Sequence, residues 1–560
     1  MAFDLTHVSR LTTYREILMM QVMNSITEKP EWDRKVFDDG ITSKWCKEIS
    51  GSGKDVTPKM MDWIIKELQF KADVFQKTGQ ITAFDPGVVK SDTIIPSELQ
   101  QSLQEAVRPL ENVPEYQKDY HPGSDNKVVD LVHPSLFPVI YDRSCIITDK
   151  TIGLDDCLDD AGQAKLLSTT PEHQSTHLGD SDVTPRRWLY DAFSPYSRKF
   201  QWMPCDIEFA DGDECRIASY INNLHPQENR TLYEILERII ARTIPLWDTT
   251  LTRAENEHNR IEYTDVEYLN NHEPEPTIRD GEDEKEFWNR YYNWELNRTI
   301  KRPEPGEFRP LELFSRREVK LRSGFSENGL QVIVKLANIE LNPEKPDYDG
   351  GSWHVEGQLN EHICASAIYY YDSENITEST LAFRQRSNTE DMSEIGYEQQ
   401  RHEFLQEVFG FGDDVDSSNE TNVTQNLGSV ATHEGRVLTF PNTLQHRVSP
   451  FSLADRSKPG HRKILALFLV DPHLRIISSA NIPPQREDWW KERRKVVGQL
   501  LGGRLPVQLQ DMVTGDLGAT CSISMDEAKQ YRLELMEERK TAAVYQNEKF
   551  EAGDFNLCEH

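Results

Sequence analysis

Eight cysteines (Cys46, Cys145, Cys157, Cys205, Cys215, Cys364, Cys521, Cys558) are scattered through the chain without a single Cys-x-x-Cys. That spacing predicts neither a zinc ribbon nor a disulfide framework. Basic residues are also scarce: 63 Lys and Arg stand against 94 Asp and Glu, a net charge of −31. Such a surface repels phosphate backbones, which excludes nucleic acid as a natural partner. The longest unbroken apolar run, Ile464 to Val470, is seven residues, far short of the ~20 of a membrane helix. The first ten residues hold no apolar core of signal-peptide length. A soluble, cytoplasmic protein without membrane contact is expected. Nucleotide-binding signatures are missing too, both the Walker motif and Gly-x-Gly-x-x-Gly. No His-Glu-x-x-His occurs; His402-Glu-Phe-Leu-Gln406 and Leu359-Asn-Glu-His362 each lack a histidine, which removes the zinc proteases. No Pro-Cys-x-x-Cys follows the His-x-Glu, which removes the zinc deaminases.

What the chain does have is length, 560 residues, and aromatic bulk in 11 Trp, 19 Tyr and 22 Phe, enough for a large core and two domains. Residues 1–185 read as mostly helix and loop. Thr57-Pro58 is a capped helix start, and Met60, Met61, Ile64, Ile65 and Leu68 follow at helical spacing. Residues 128–141 are apolar but broken by prolines, which predicts an extended segment; His133 within it reads as a packed histidine. Phe200–Ile221 reads as a hairpin, and Leu232–Ile244 as an amphipathic helix. Strands dominate 317–475. Polar, acidic insertions lie at 247–310 and 387–427, and helix returns after Pro483-Pro484. Ser524-x-x-Glu527 opens a charged helix. The domain reading is therefore 1–185, a β-rich core over 186–500, and a helical tail over 501–560.

The core is organised around Gly350-Gly-Ser-Trp-His-Val-Glu-Gly357, which holds the only His-x-acid triplet. Strand-like runs, 330–341 and 363–371, flank it. Alternate residues of a strand share a face, so His354 and Glu356 are expected to point together into whatever the sheet encloses. Downstream, His446 follows the short strand Arg436–Phe440 and the turn at Pro441-Asn442. Two histidines and one carboxylate leave three octahedral positions open, an arrangement that suits Fe(II) used with O2. His362 is a weaker rival ligand. Past His446, the apolar strand Ile464–Val470 is preceded by Arg462, on the face of Ile464, Ala466 and Phe468. A buried guanidinium needs an anion. Either one of the chain's acids supplies it, or Arg462 holds the distal carboxylate of 2-oxoglutarate, the reading preferred here. Lys463 is the alternative anchor but faces the other way.

The succession of His-Val-Glu-Gly, Glu434-Gly-Arg-Val-Leu-Thr-Phe-Pro441, His446-Arg-Val-Ser-Pro450 and Gly460-His-Arg462 resembles the 2-oxoglutarate/Fe(II) dioxygenase superfamily. More narrowly, the stretches DLVHPSLFPVIYDRS, FQWMPCDIEF, SYINNLHP and GGSWHVEGQLNEHI resemble the largely fungal DUF4246 family. The likeness runs from about residue 128 to residue 473. It implies an α+β protein with a double-stranded β-helix (jelly-roll) core. Its ligands would be His354, Glu356 and His446, with Glu356 standing where the superfamily more often has Asp. The implied cofactors are Fe(II), 2-oxoglutarate and O2: the keto acid is decarboxylated to succinate while an unactivated C–H bond is oxidised. The expected substrate is a small organic molecule, such as an amino acid or a secondary-metabolite intermediate. Ile339, Leu341 and Arg384 are candidate substrate contacts, with core packing and an acid partner as their ordinary alternatives. A protein or peptide hydroxylase or demethylase, and a non-catalytic metal-binding jelly-roll, are the rival readings.

Overall fold

The computed structural model describes residues 8–158, 164–168, 196–254, 259–269, 274–310, 316–412, 415, 421–490, 506, 509, 521–555 and 557. Five long helices matter for the site: α1 (Tyr14–Ile26), α2 (Pro58–Thr78), α3 (Ser97–Glu111), α4 (Arg230–Leu251) and α5 (Met525–Glu551). The start of α2 is set as its sequence predicts. The Thr57 hydroxyl accepts from the Met60 N–H, and Pro58, which has no N–H to waste, takes the first turn. Met60, Met61, Ile64 and Leu68 are buried and Ile65 half-buried. Likewise Ser524 accepts from the Glu527 N–H to open α5. The helix expected over 232–244 is α4, longer at both ends.

The principal strands are β1 (Ile81–Phe84), β2 (Val88–Ser91), β3 (Val128–Val132), β4 (Cys205–Phe209), β5 (Cys215–Ile217), β6 (Leu330–Leu341), β7 (Ile363–Glu374), β8 (Thr380–Arg386), β9 (Thr424–Ala431), β10 (Val437–Pro441), β11 (Gln445–Val448) and β12 (Gly460–Val470). A nine-stranded antiparallel sheet runs β1-β2-β10-β7-β12-β6-β4-β5, with β3 also on β6. A three-stranded sheet, β9-β8-β11, lies against it, the Phe383 and Phe440 rings 5.1 Å apart across the gap. This mixed α+β architecture is consistent with a jelly-roll core.

Alternation on β12 and β6 does what a two-faced apolar pattern requires. Leu465, Leu467 and Leu469 enter one core with Val332, Val334 and Leu336. Ala466, Phe468 and Val470 enter the other with Ile333, Ile368, Phe440 and Phe383. The second core is the space between the sheets, and each aliphatic or aromatic side chain buried there contributes about 1.5–3 kcal/mol.

Three findings differ from the sequence reading. The first 158 residues are not helix and loop alone, because β1, β2 and β3 are strands of the main sheet. The acidic stretch 247–310 contains a helix, Glu284–Leu296. Cys145 and Cys521 form a disulfide across 376 residues, a pairing that spacing along the chain carries no trace of. The helical reading for most of 491–520, and Cys558, lie outside the described residues. No helix among the described residues is long and apolar enough to cross a membrane.

Candidate metal centre

His354 and Glu356 stand in the connection between β6 and β7, not on a continued strand. Glycines shape that connection. Gly350 has φ +87°, and a Cβ there would meet the Val448 carbonyl oxygen at 2.7 Å, so only glycine lets the chain lie against β11. Gly357, at φ +71°, turns it away again. Between them His354 and His446 face each other in an isolated antiparallel bridge: the His354 N–H donates to His446 O at 3.2 Å, and the His446 N–H to His354 O at 3.0 Å. Asn442 holds the carboxylate residue. Its Oδ1 accepts from the Glu356 N–H at 2.8 Å, and its Nδ2 donates to Glu356 O at 2.9 Å and to Ile363 O at 3.1 Å.

The three side chains converge, their ligand atoms all within 4.8 Å of one another. Glu356 Oε1 lies 3.8 Å from His354 Nε2 and 3.4 Å from His446 Nε2. Adjacent ligands bound at about 2.1 Å to one octahedral ion stand about 3 Å apart, so both histidines lie within about 1 Å of that spacing from the carboxylate. His354 Nδ1 is hydrogen-bonded to Ser352 O at 2.8 Å, which leaves Nε2 free to ligate. Burial would raise the Glu356 carboxyl, but the two imidazoles override it and hold the group well below the usual range. Burial, reinforced by His354, pushes His446 down to about 4. For His354, burial acts downward and is outweighed by Glu356, so the net shift is upward.

A second group able to hold a metal is His121, Asp130 and His133. Asp130 Oδ2 lies 2.8 Å from His121 Nδ1 and 3.8 Å from Arg532 Nη1. His133 is buried, as its sequence context predicts, and its Nδ1 accepts from the Ser135 N–H at 3.1 Å. Burial holds it well below the ordinary imidazole value, hence neutral. Asp130 sits on β3 opposite Ala337 of β6.

Arg462 lies on the predicted face of β12, 2% exposed. Its guanidinium stacks over Tyr370 at 4.5 Å and Phe451 at 5.4 Å. Its Nε and Nη1 are buried without a hydrogen-bond partner, and among the described residues no carboxylate pairs with it. Lys463 does face the other way, paired with Asp372 at 2.8 Å and Glu111 at 3.2 Å. Ile339 is opposite Arg462 in the β6–β12 register, and with Leu341 it packs against Phe451 and Leu453. Arg384 is on β8 opposite Gln445, whereas its neighbour Phe383 is opposite His446, so Arg384 faces away from the metal ligands. It pairs with Glu551 at 2.7 Å, the ordinary one of its two readings. His362 takes a left-handed turn (φ +47°) and stands outside both ligand groups.

Sequence reasoning missed three residues. Tyr370, in the Tyr369-Tyr-Tyr371 run, offers a buried hydroxyl beside Arg462. Asn442 was visible only as a turn. Asn547 left no signal at all: from α5 its Nδ2 donates to Trp353 O at 3.0 Å and its Oδ1 accepts from Gln445 Nε2 at 2.7 Å. It thereby ties together the residues immediately before His354 and His446.

A family model described as "Protein of unknown function (DUF4246)" matches residues 58–493. A second, "Domain of unknown function DUF4246, N-terminal", matches residues 2–48. No curated protein matches the chain.

Proposed function

We propose that this chain, which belongs to the DUF4246 family, is a 2-oxoglutarate- and Fe(II)-dependent oxygenase acting on a small organic substrate. The observation that carries the reading is the pairing of two features: a convergent His354–Glu356–His446 set, and a buried Arg462 that no acid among the described residues claims. Two neutral imidazoles and one carboxylate would leave a ferrous ion with a charge near +1 and three open positions. That suits an anionic, chelating cosubstrate, whereas a structural metal closes its own sphere. When bound, iron with 2-oxoglutarate and O2 supplies the oxidising power for a C–H bond; one oxygen atom goes to the substrate and one to succinate, with loss of CO2.

The chain's own residues would do the rest. His354, Glu356 and His446 would hold the ion, and the reciprocal backbone bonds between the histidines, with Asn442 on Glu356, keep their geometry in place before it arrives. Arg462 would take the distal carboxylate as a planar fork, with the Tyr370 hydroxyl beside it. A metal at His121–Asp130–His133 is the second reading; the guanidinium 3.8 Å from Asp130 opposes a dication there.

Anaerobic titration with Fe(II) or Mn(II) tests the assignment. One ion per chain is expected, lost in His446→Ala and kept in His133→Ala; the reverse pattern would move the centre to the second group. Succinate release from 2-oxoglutarate under air, absent in His446→Ala, tests the reaction.

A further inference from the structure

Acidic residues outnumber basic ones 94 to 63, so an inward-facing cation that pairs with no acid among the described residues requires explanation. Arg462 is one, and Lys335 is another. Lys335 lies on β6 opposite Ala466 of β12, the face that also carries Ile333 and Phe468 and looks into the space between the sheets. It makes no hydrogen bond or ion pair with any described residue, and its ammonium is not among the buried unpartnered atoms, so water reaches it. Two of its neighbours on that face are small, Ala466 across the strand pair and Ala337 two residues along. Asp130, opposite Ala337, is the nearest acid on that face by register, and His121 and Arg532 already occupy it. By register Lys335 lies beside the segment that carries Asp130 and His133, and its charge is a lesser influence on both and on His354.

Four residues of strand separate Lys335 from Ile339, the partner of Arg462. At 3.3 Å per residue that is about 13 Å along the sheet. A five-carbon diacid held by Arg462 with its other end on the metal does not also need Lys335.

We propose that Lys335 is a second anion-binding position, for the carboxylate of the substrate that is oxidised, and that this substrate is a small carboxylic acid with an apolar body. Ile333, Ile368 and Phe468 share that inward face, with Trp202 stacked on Phe468 at 5.8 Å, so the surroundings of Lys335 are apolar. This inference rests on the oxygenase reading.

The test uses the full chain. Binding of 2-oxoglutarate to the Mn(II)-loaded protein is measured first without oxygen; no binding in the wild type would end the oxygenase reading itself. Succinate release by the iron-loaded enzyme is then measured with isovalerate, hydrocinnamate and leucine, each beside its primary amide. An acid, but not its amide, should raise succinate release above the substrate-free level. Lys335→Met and Lys335→Gln should weaken the apparent affinity for that acid roughly tenfold or more, while 2-oxoglutarate affinity stays within about twofold and Lys335→Arg retains binding. The proposal is overturned if no acid raises release, if amides serve as well as acids, or if both variants lose 2-oxoglutarate binding by the same factor.

Discussion

Arg462 stacks its guanidinium on two aromatic rings and leaves Nε and Nη1 without partners. Removing a charge from water in this way costs several kcal/mol unless an anion compensates it. Arg462→Lys keeps the charge but loses the planar fork, so the KM for 2-oxoglutarate should rise far more than that for the oxidised substrate. Arg462→Gln should remove roughly 2–5 kcal/mol of 2-oxoglutarate binding. Calorimetric titration of both metal-loaded variants without oxygen measures this, and unchanged affinity in both would make Arg462 a structural residue. His354 is one-third exposed and makes one backbone hydrogen bond through its ring. His354→Ala should therefore abolish turnover and metal uptake yet leave the metal-free melting temperature nearly unchanged; a large fall in melting temperature would mean the bridge to His446 depends on the ring.

Among elements, α5 does more than cover the sheet. Arg532 reaches Asp119, Arg539 reaches Glu361, Asn547 joins Trp353 to Gln445, and Glu551 pairs with Arg384, whose own Nε donates to Gln445 Oε1 at 2.8 Å. Asn547 thus braces the two histidine-bearing segments against each other, beside the backbone bridge between the histidines. Asn547→Ala should weaken metal affinity by about 10-fold or more, the scale of lost outer-shell contacts, with a small change in melting temperature. Equal metal affinity in a competition titration would show that the backbone bridge alone suffices. A second element-scale prediction concerns the end of the β7–β12 pair, where Asp372 stands opposite Lys463. Burial works against the Asp372 carboxylate, but His461 and Lys463 lower it from 3.8 to about 2. A depressed carboxyl contributes stability that is complete above the unfolded value and is lost as pH falls through the folded one. The window is therefore about pH 4 down to 2. The contribution is roughly 1 kcal/mol once solvent screening of this partly exposed group is allowed for. In Asp372→Asn the unfolding free energy should fall less steeply across that window.

For the whole molecule, charge governs approach and the site governs residence. A dianion such as 2-oxoglutarate meets a protein of net charge −31. Long-range repulsion is screened as the Debye length shrinks from about 30 Å at 0.01 M salt to about 8 Å at 0.15 M. Its association rate should rise with salt, opposite to a protein that steers its anion in, while dissociation from the buried Arg462 changes little. Stopped-flow binding to the Mn(II)-loaded protein over that salt range measures both; a falling association rate would show that the local field around Arg462 and Lys335 outweighs the net charge.

The strands, the capped helices and the ligand candidates were legible in the chain because each depends on local pattern. Period-two alternation places Arg462 on the face of Ile464, Ala466 and Phe468. A hydroxyl before Pro58 starts α2, and a glycine pair prepares the turn before His354. That Glu356 and His446 would approach one another was an inference from residue type, since ninety residues separate them; only the packing of the two sheets brings Glu356 Oε1 to 3.4 Å from His446 Nε2. The contacts of Asn547, the Cys145–Cys521 disulfide and the pairing of Arg384 with Glu551 were decided by tertiary structure alone. The reason is physical: periodicity tells which face of its own element a residue takes, but which distant element covers that face, and whether a charge there finds a partner, is set by packing between segments hundreds of residues apart.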